Sequence, residues 1–128
     1  MRLLLDTHAF LFWITDSDEL SVRAREHIED PENELYLSAV SGWEIAIKTK
    51  LNRLVLPGPP ERVITEQMAY NHIQSLSIQM SHALNTFHLP QLHRDPFDRM
   101  LVAQSRVEEI PILTRDPAIS QYEVETIW

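Results

Sequence analysis

The chain has no cysteine among its 128 residues, which removes disulfide scaffolds, thiolate zinc sites and cysteine nucleophiles together. Glycine is almost as scarce. Gly42 and Gly58 are the only two, so no glycine-rich loop is available to cradle a nucleotide phosphate. The longest unbroken apolar run, Ala9 to Ile14, falls far short of the ~20 residues that cross a bilayer. Arg2 is followed by only three leucines before Asp6, which is not a signal-peptide pattern. Basic residues are few: 11 Lys and Arg against 19 Asp and Glu give a formal charge of −8, an argument against holding nucleic acid by bulk positive charge. These absences predict a cytoplasmic protein with no membrane partner. Its hydrophobic share of 44% is that of an ordinary globular domain, and its length suits a single domain over 1–128.

Short apolar runs alternate with longer helical patterns. Leu3–Leu5 precedes a helical stretch over Thr7–Ile14, and a second helix is expected over Ser21–Asp30. Leu35–Leu37 precedes a helix over Val40–Leu51, in which Val40, Trp43, Ile47 and Leu51 share one face. Pro57-Gly58-Pro59-Pro60 reads as a loop inside the domain, followed by a helix over Arg62–Tyr70. Ile73–Ile78, Ile110–Leu113 and Val124–Ile127 are expected strands, and Pro96–Val107 is an expected helix with Phe97, Leu101 and Val102 along one stripe. Nearly all-apolar strands separated by helices predict a three-layer α/β/α fold with a mostly parallel twisted central sheet. Ligands in such folds bind beyond the carboxyl ends of the strands.

Four acids fall at those places. Asp6 follows Leu3–Leu5, Glu44 lies early in the helix after Leu35–Leu37, Asp98 is in the first turn of the helix opened by Asp95-Pro96, and Asp116 follows Ile112–Leu113. Each has an ordinary structural use. Ser41 and Glu44 match a capping box, while Asp6, Asp95 and Asp116 are placed to cap helices, with Asp98 complementing a helix dipole. Capping explains one acid at one helix start but does not explain four at starts that a doubly wound topology brings to one edge. Two carboxylates ~5 Å apart at an effective dielectric of ~20 repel by about 3 kcal/mol, so a cluster of four would raise its own pKa values or collect cations. An all-oxygen cluster suits Mg²⁺ or Mn²⁺ better than zinc, and carboxylate-held magnesium serves phosphoryl chemistry. Six of the basic residues, Lys48, Lys50, Arg53, Arg94, Arg99 and Arg115, lie close in sequence to these acids; they read either as a positive rim or as solvated faces with weak ion pairs.

Four segments resemble the motifs of PIN-domain nucleases, specifically VapC-like toxins of type II toxin–antitoxin pairs. They are Leu3-Leu4-Leu5-Asp6-Thr7-His8, Ser38-Ala39-Val40-Ser41-Gly42-Trp43-Glu44-Ile45, His93 to Gln104, and Ile112-Leu113-Thr114-Arg115-Asp116. The resemblance spans the chain in the right order. It implies a PIN-like fold and an acidic quartet of Asp6, Glu44, Asp98 and Asp116 that binds Mg²⁺ or Mn²⁺ and hydrolyses RNA phosphodiesters, leaving 5′-phosphate and 3′-hydroxyl ends. It further implies supporting hydroxyls at Thr7 and Thr114, a homodimer, and inhibition by a cognate antitoxin protein. Lys48, Arg94, Arg99 and Arg115 are then candidates for RNA contacts. Two alternatives stay open: a catalytically silent adaptor that uses the fold to bind a partner, and a housekeeping nuclease without an antitoxin.

Other constellations are weaker. His72, His82, His88 and His93 lack the i, i+4 spacing of a helical zinc motif, so they are expected to be scattered, although His93 stands beside Arg94 and Asp95. Asp6-Thr7-His8 lacks the second acid of phospho-aspartate phosphatases, and no lysine follows the strand at Ile110–Leu113 as in a phosphate-receiver domain. Phe10-Leu11-Phe12-Trp13 is apolar on every helical face, as in a helix buried between sheet and neighbour, or at a dimer or antitoxin surface.

Overall fold

The computed structural model describes residues 1–128. It arranges β1 (Arg2–Leu5), β2 (Glu34–Ser38), β3 (Ile73–Leu76), β4 (Ile112–Leu113) and β5 (Thr126–Ile127) in one sheet of order β3-β2-β1-β4-β5. Every pairing is parallel. The helices are α1 (Thr7–Ile14), α2 (Val22–Glu29), α3 (Ala39–Lys50), α4 (Pro60–Tyr70), α5 (Met80–Asn85), α6 (Pro96–Glu108) and α7 (Pro117–Ser120), with a 3-10 turn over Thr86–His88. No helix is long and apolar enough to cross a membrane.

The period-two geometry of the strands divides the core into two. Leu3, Leu5, Leu35 and Leu37 join Phe10, Ala24, Ile28, Ile45 and Ile64 on one face of the sheet. Leu4 joins Val40, Leu101, Val102 and Ile112 on the other, with Tyr36 packed against them. Register supports the division, since Leu4 faces Tyr36 and Ile112 while Leu5 faces Leu37 and Leu113. Buried on both sides, β1 contains no polar residue after Arg2, as a central parallel strand should. These are the three layers expected from the sequence.

The strand order reverses between β1 and β4, because the chain builds outward from β1 through β2 to β3 and then returns to build through β4 to β5. Such a reversal splays the following helices apart and leaves a crevice beyond the strand ends. Asp6 lies at the carboxyl end of β1, and Thr114 and Asp116 follow β4 across that crevice.

Several boundaries differ from expectation. β3 stops at Leu76, and β4 and β5 keep only the two residues that pair with a neighbour. The helix α5 was absent from the sequence reading because it is short, and it starts from an irregular cap. The Gln79 amide donates to His82 Nδ1 at 2.9 Å. That acceptance puts the imidazole proton on Nε2, where it is donated to Glu108 Oε1 at 2.8 Å. His82 is fully buried and structural.

The expected face of α3 is also corrected. Val40, Ser41, Glu44 and Ile45 are its buried residues, whereas Trp43 and Leu51 are exposed. The helix lies between two layers, so its polar Ser41 and Glu44 turn inward and Trp43 meets Phe97 edge-on at 5.1 Å.

Candidate functional site

Helix starts position Asp6, Asp98 and Asp116. Asp6 is the N-cap of α1, accepting from the Ala9 amide at 2.6 Å through Oδ1. Its Oδ2 accepts a hydrogen bond from Thr114 Oγ1 across the β1–β4 crevice. The same Thr114 hydroxyl accepts from the Asp116 amide at 3.0 Å, and Asp116 caps α7 through the Ala118 amide at 2.9 Å. Thr114 therefore couples the two acids at the switch point and fixes the direction of its own proton toward Asp6. Asp6 and Thr114 are both buried.

Glu44 reaches the site differently from the expected capping box. Ser38, the last residue of β2, is the N-cap of α3 and accepts from the Val40 amide at 3.0 Å. The helix thus begins before Ser41, which leaves Ser41 and Glu44 inside it. Thr7 Oγ1 lies 2.9 Å from Ser41 Oγ and 2.8 Å from Glu44 Oε1. One hydroxyl carries one proton, so Thr7 donates to the carboxylate and accepts from Ser41. Glu44 Oε2 accepts from Lys48 Nζ at 2.6 Å. Glu44 is almost completely buried and Lys48 only half so, so a cation from the rim of the site balances an internal carboxylate.

Asp98 stands in the first turn of α6, where Asp95 is the N-cap and Pro96 the first helical residue. Asp95 accepts from the Phe97 amide at 2.8 Å. Asp98 Oδ2 is 2.9 Å from His93 Nε2. Ligand atoms of His93, Asp95 and Asp98 lie within 4.8 Å of one another, a grouping that does not include Asp6, Glu44 or Asp116. Asp95 is the cap expected of it, and His93, expected to be one of several scattered histidines, lies with Asp95 within reach of Asp98. The spacing of five residues between His93 and Asp98 gives no periodic signal, because a loop turns the chain back on the helix start.

The electrostatics link the groups. Asp98 is pushed up to about 6 from 3.8, first by burial, then by Asp95, with His93 opposing and Asp116 and Glu44 adding to the rise. Asp6 is also raised, chiefly by burial; the bonds from Thr114 and the Ala9 amide oppose this, as does His8, and Asp116 adds to it. Fields of Glu44, Asp95 and Asp116 therefore meet at Asp98, and that of Asp116 also reaches Asp6. A divalent cation fits such a donor set. Asp98 Oδ1 and Asp116 Oδ2 accept no hydrogen bond from the protein, so oxygens remain to bind it, and its charge would relieve the repulsion.

The basic residues are unequal. Arg99 donates to Pro90 O, Tyr122 Oη and Thr86 O at 2.9, 3.2 and 3.2 Å; its guanidinium ties the loop before α6 to the fold and is not turned to a phosphate. Arg115 pairs with Glu19 at 2.9 Å and lies over the rings of Phe12 and Trp128, 5.0 and 5.9 Å from their centroids. Arg94 is exposed. A cavity of about 290 Å³ opens beside Asp6 and Asp116 and is walled by His8, Phe12, Arg115 and Trp128. On α1, Phe10 is fully buried, while Leu11, Phe12 and Trp13 are half-buried. The Trp13 indole donates to Asn71 Oδ1 at 2.9 Å.

Comparison with known proteins agrees with this arrangement. The model of the PIN domain family matches residues 3–125. Ribonuclease VapC22 of Mycobacterium tuberculosis is 28% identical over 129 residues, covering 98% of this chain and 97% of that protein. Among solved structures, VapBC2 from Rickettsia felis bound to a promoter DNA fragment superposes with a TM-score of 0.74 at 10% identity, over 99% of this chain and 98% of the other. VapBC-1 from nontypeable Haemophilus influenzae superposes with a TM-score of 0.66 at 14% identity, over 99% and 97%. At these identities the structural likeness is one of fold.

Proposed function

The chain belongs to the PIN domain family, and from that membership we propose that it is a divalent-metal-dependent endoribonuclease, the toxin of a toxin–antitoxin pair. The observation that carries the reading is that the fields of Glu44, Asp95 and Asp116 reach Asp98 and that of Asp116 reaches Asp6, adding to the rise that burial gives both carboxyls. Similarity to ribonuclease VapC22 over nearly the whole chain supports the substrate class. The fold shared with VapBC complexes supports an antitoxin partner; a homodimeric toxin is part of the same proposal.

In this reading Asp6, Asp98, Asp116 and Glu44 hold Mg²⁺ or Mn²⁺. When bound, such an ion offsets the negative charge that develops on the phosphate and acidifies water. The protein's own groups do the rest. Thr114 holds Asp6 in one orientation through its hydrogen bond, and Thr7 and Lys48 do the same for Glu44. Glu44 orients the attacking water and takes its proton. The new bond joins that water oxygen to phosphorus, and the bond to O3′ breaks with O3′ taking a proton from solvent water, leaving a 5′-phosphate and a 3′-hydroxyl. His93 steadies Asp98, and Lys48, paired with Glu44, and the exposed Arg94 are the cations proposed for phosphate contact.

The test is incubation of the purified protein with total RNA in Mg²⁺ or Mn²⁺, with and without EDTA, beside Asp98→Asn. Cleavage in metal only, lost in the variant, is expected. Equal cleavage with EDTA, or by the variant, would remove the mechanism. A silent adaptor would cut nothing in any metal.

A further inference from the structure

We infer that the cavity beside Asp6 and Asp116 is a nucleobase subsite, in which a base adjoining the cleaved phosphodiester packs against Trp128, Phe12 and the Arg115 guanidinium. The inference deepens the nuclease reading and rests on it.

The cavity has two unlike walls. Asp6 and Asp116 form one; His8, Phe12, Arg115 and Trp128 form the other. Phosphodiester hydrolysis requires only the first, so the second has a use apart from the bond that breaks. Phe12 and Trp128 meet edge-on with centroids 6.4 Å apart, and both are half-buried, so packing holds their rings in place. Arg115 stays over both rings because Glu19 holds its guanidinium from outside. The exposed His8 ring stands 6.2 Å from Phe12. Aromatic faces and arginine planes in one recess are how proteins bind unstacked RNA bases.

Size and charge narrow the occupant. A volume of about 290 Å³ is at the small end of the roughly 300–1,000 Å³ of small-molecule sites, so the recess takes one planar ring system and not a folded peptide segment. The cation position over the aromatic rings is already filled by Arg115, which favours a neutral base over a basic side chain. Beyond the ridge of His8 and Phe12, a second groove of about 460 Å³ continues past Lys48 and Arg53. A strand whose base occupies the recess can lay its backbone phosphates along those two cations.

Two measurements test this. In the first, adenosine, which has no phosphate for the acids to repel, is titrated into the unmodified protein and followed by ¹H–¹⁵N NMR, with the Trp128 indole resonance identified by its absence in Trp128→Leu. The Trp128 indole and Arg115 side-chain signals are expected to move while the Trp43 indole does not. In the second, an RNA substrate carries one abasic nucleotide, placed in turn at each position around the cut. A lost base–aromatic stack should reduce kcat/KM about 5- to 100-fold at one position next to the cut. Trp128→Leu should lose a similar factor on intact RNA and nothing further on that abasic RNA. Nucleosides that move no Trp128 signal, or abasic RNA cut normally at every position, would overturn the subsite. So would a Trp128→Leu protein that cleaves normally but no longer binds its antitoxin, which would assign the recess to a protein partner. Should the unmodified protein cut no RNA while adenosine still moves Trp128, the nuclease reading fails and the base-binding recess stands.

Discussion

Asp98 is a residue whose usefulness and whose effect on stability have opposite signs. Its carboxyl titrates near 6 in the fold and at 3.8 ordinarily, so between those values the folded chain keeps a proton that the unfolded chain has released. Stability from this group is therefore fully present below about pH 4 and is lost as pH rises to about 6. Asp98→Asn should then be more stable than the parent at pH 7 without metal, by about 1–2 kcal/mol after allowing for its partial exposure. The gap should close at pH 4, as read by urea denaturation at both pH values, and cleavage should be lost throughout. A variant no more stable at pH 7 would mean that burial and repulsion of the Asp98 carboxylate cost the fold nothing. Such acids were legible in the sequence because they stand next to strand ends, where capping and clustering coincide: Asp6, Asp95 and Asp116 do cap, each through one oxygen. The contact of His93 with Asp98 was not legible, since a loop of irregular geometry makes it. The same holds for Arg99, whose three acceptors come from segments distant in sequence.

At the scale of elements, α1 and α3 are clasped at their N-terminal ends by the Ser41–Thr7–Glu44 chain, which is buried throughout. Thr7→Val keeps the shape and removes the one hydroxyl that satisfies both neighbours. Leaving buried polar groups unpaired costs about 1–3 kcal/mol, so denaturation midpoints should fall accordingly, while Thr7→Ser should recover most of the loss. If Glu44 acts on water, kcat of Thr7→Val should fall more than KM rises, because a misdirected Glu44 binds substrate as before. A loss of stability with unchanged kcat would make Thr7 a purely structural clasp. The limits of α1, α2, α3, α4 and α6 were close to those read from the sequence because their caps and prolines punctuate the chain. The inward face of α3 was misjudged for a physical reason: apolar periodicity assigns Trp43 to the core, yet the helix spends part of its buried face on Ser41 and Glu44. A polar residue turned inward is invisible to apolar periodicity, and it is where function departs from packing.

Across the whole molecule, the all-parallel order β3-β2-β1-β4-β5 places one reversal, and therefore one crevice, at the centre of the sheet. The alternation of apolar runs and helices predicted a parallel sheet with Asp6 and Asp116 toward one edge, but strand order is a long-range property, so the contact of Asp6 with Thr114 across β1 and β4 was not legible. The net charge of −8 makes this crevice a place where divalent ions and protons compete. Metal binding to the folded state stabilises it by about 2.7 kcal/mol at a free concentration one hundred times the dissociation constant. Mn²⁺ should therefore raise the Tm at pH 7, whereas monovalent salt at equal ionic strength should raise it much less, since screening only weakens the repulsion that a bound ion removes. Deprotonated carboxylates are needed for binding, so the Mn²⁺ effect should fade as pH drops below about 6, where Asp98 takes up its proton. The pH dependence without metal, a decline in stability from about pH 4 to about pH 6, should accordingly flatten in saturating Mn²⁺. Scanning calorimetry across that range, on the parent and on Asp6→Asn and Asp98→Asn, separates the two cases. A parent curve that Mn²⁺ shifts equally at pH 4.5 and pH 7, or a shift that survives in both variants, would place the bound ion somewhere other than the switch-point crevice.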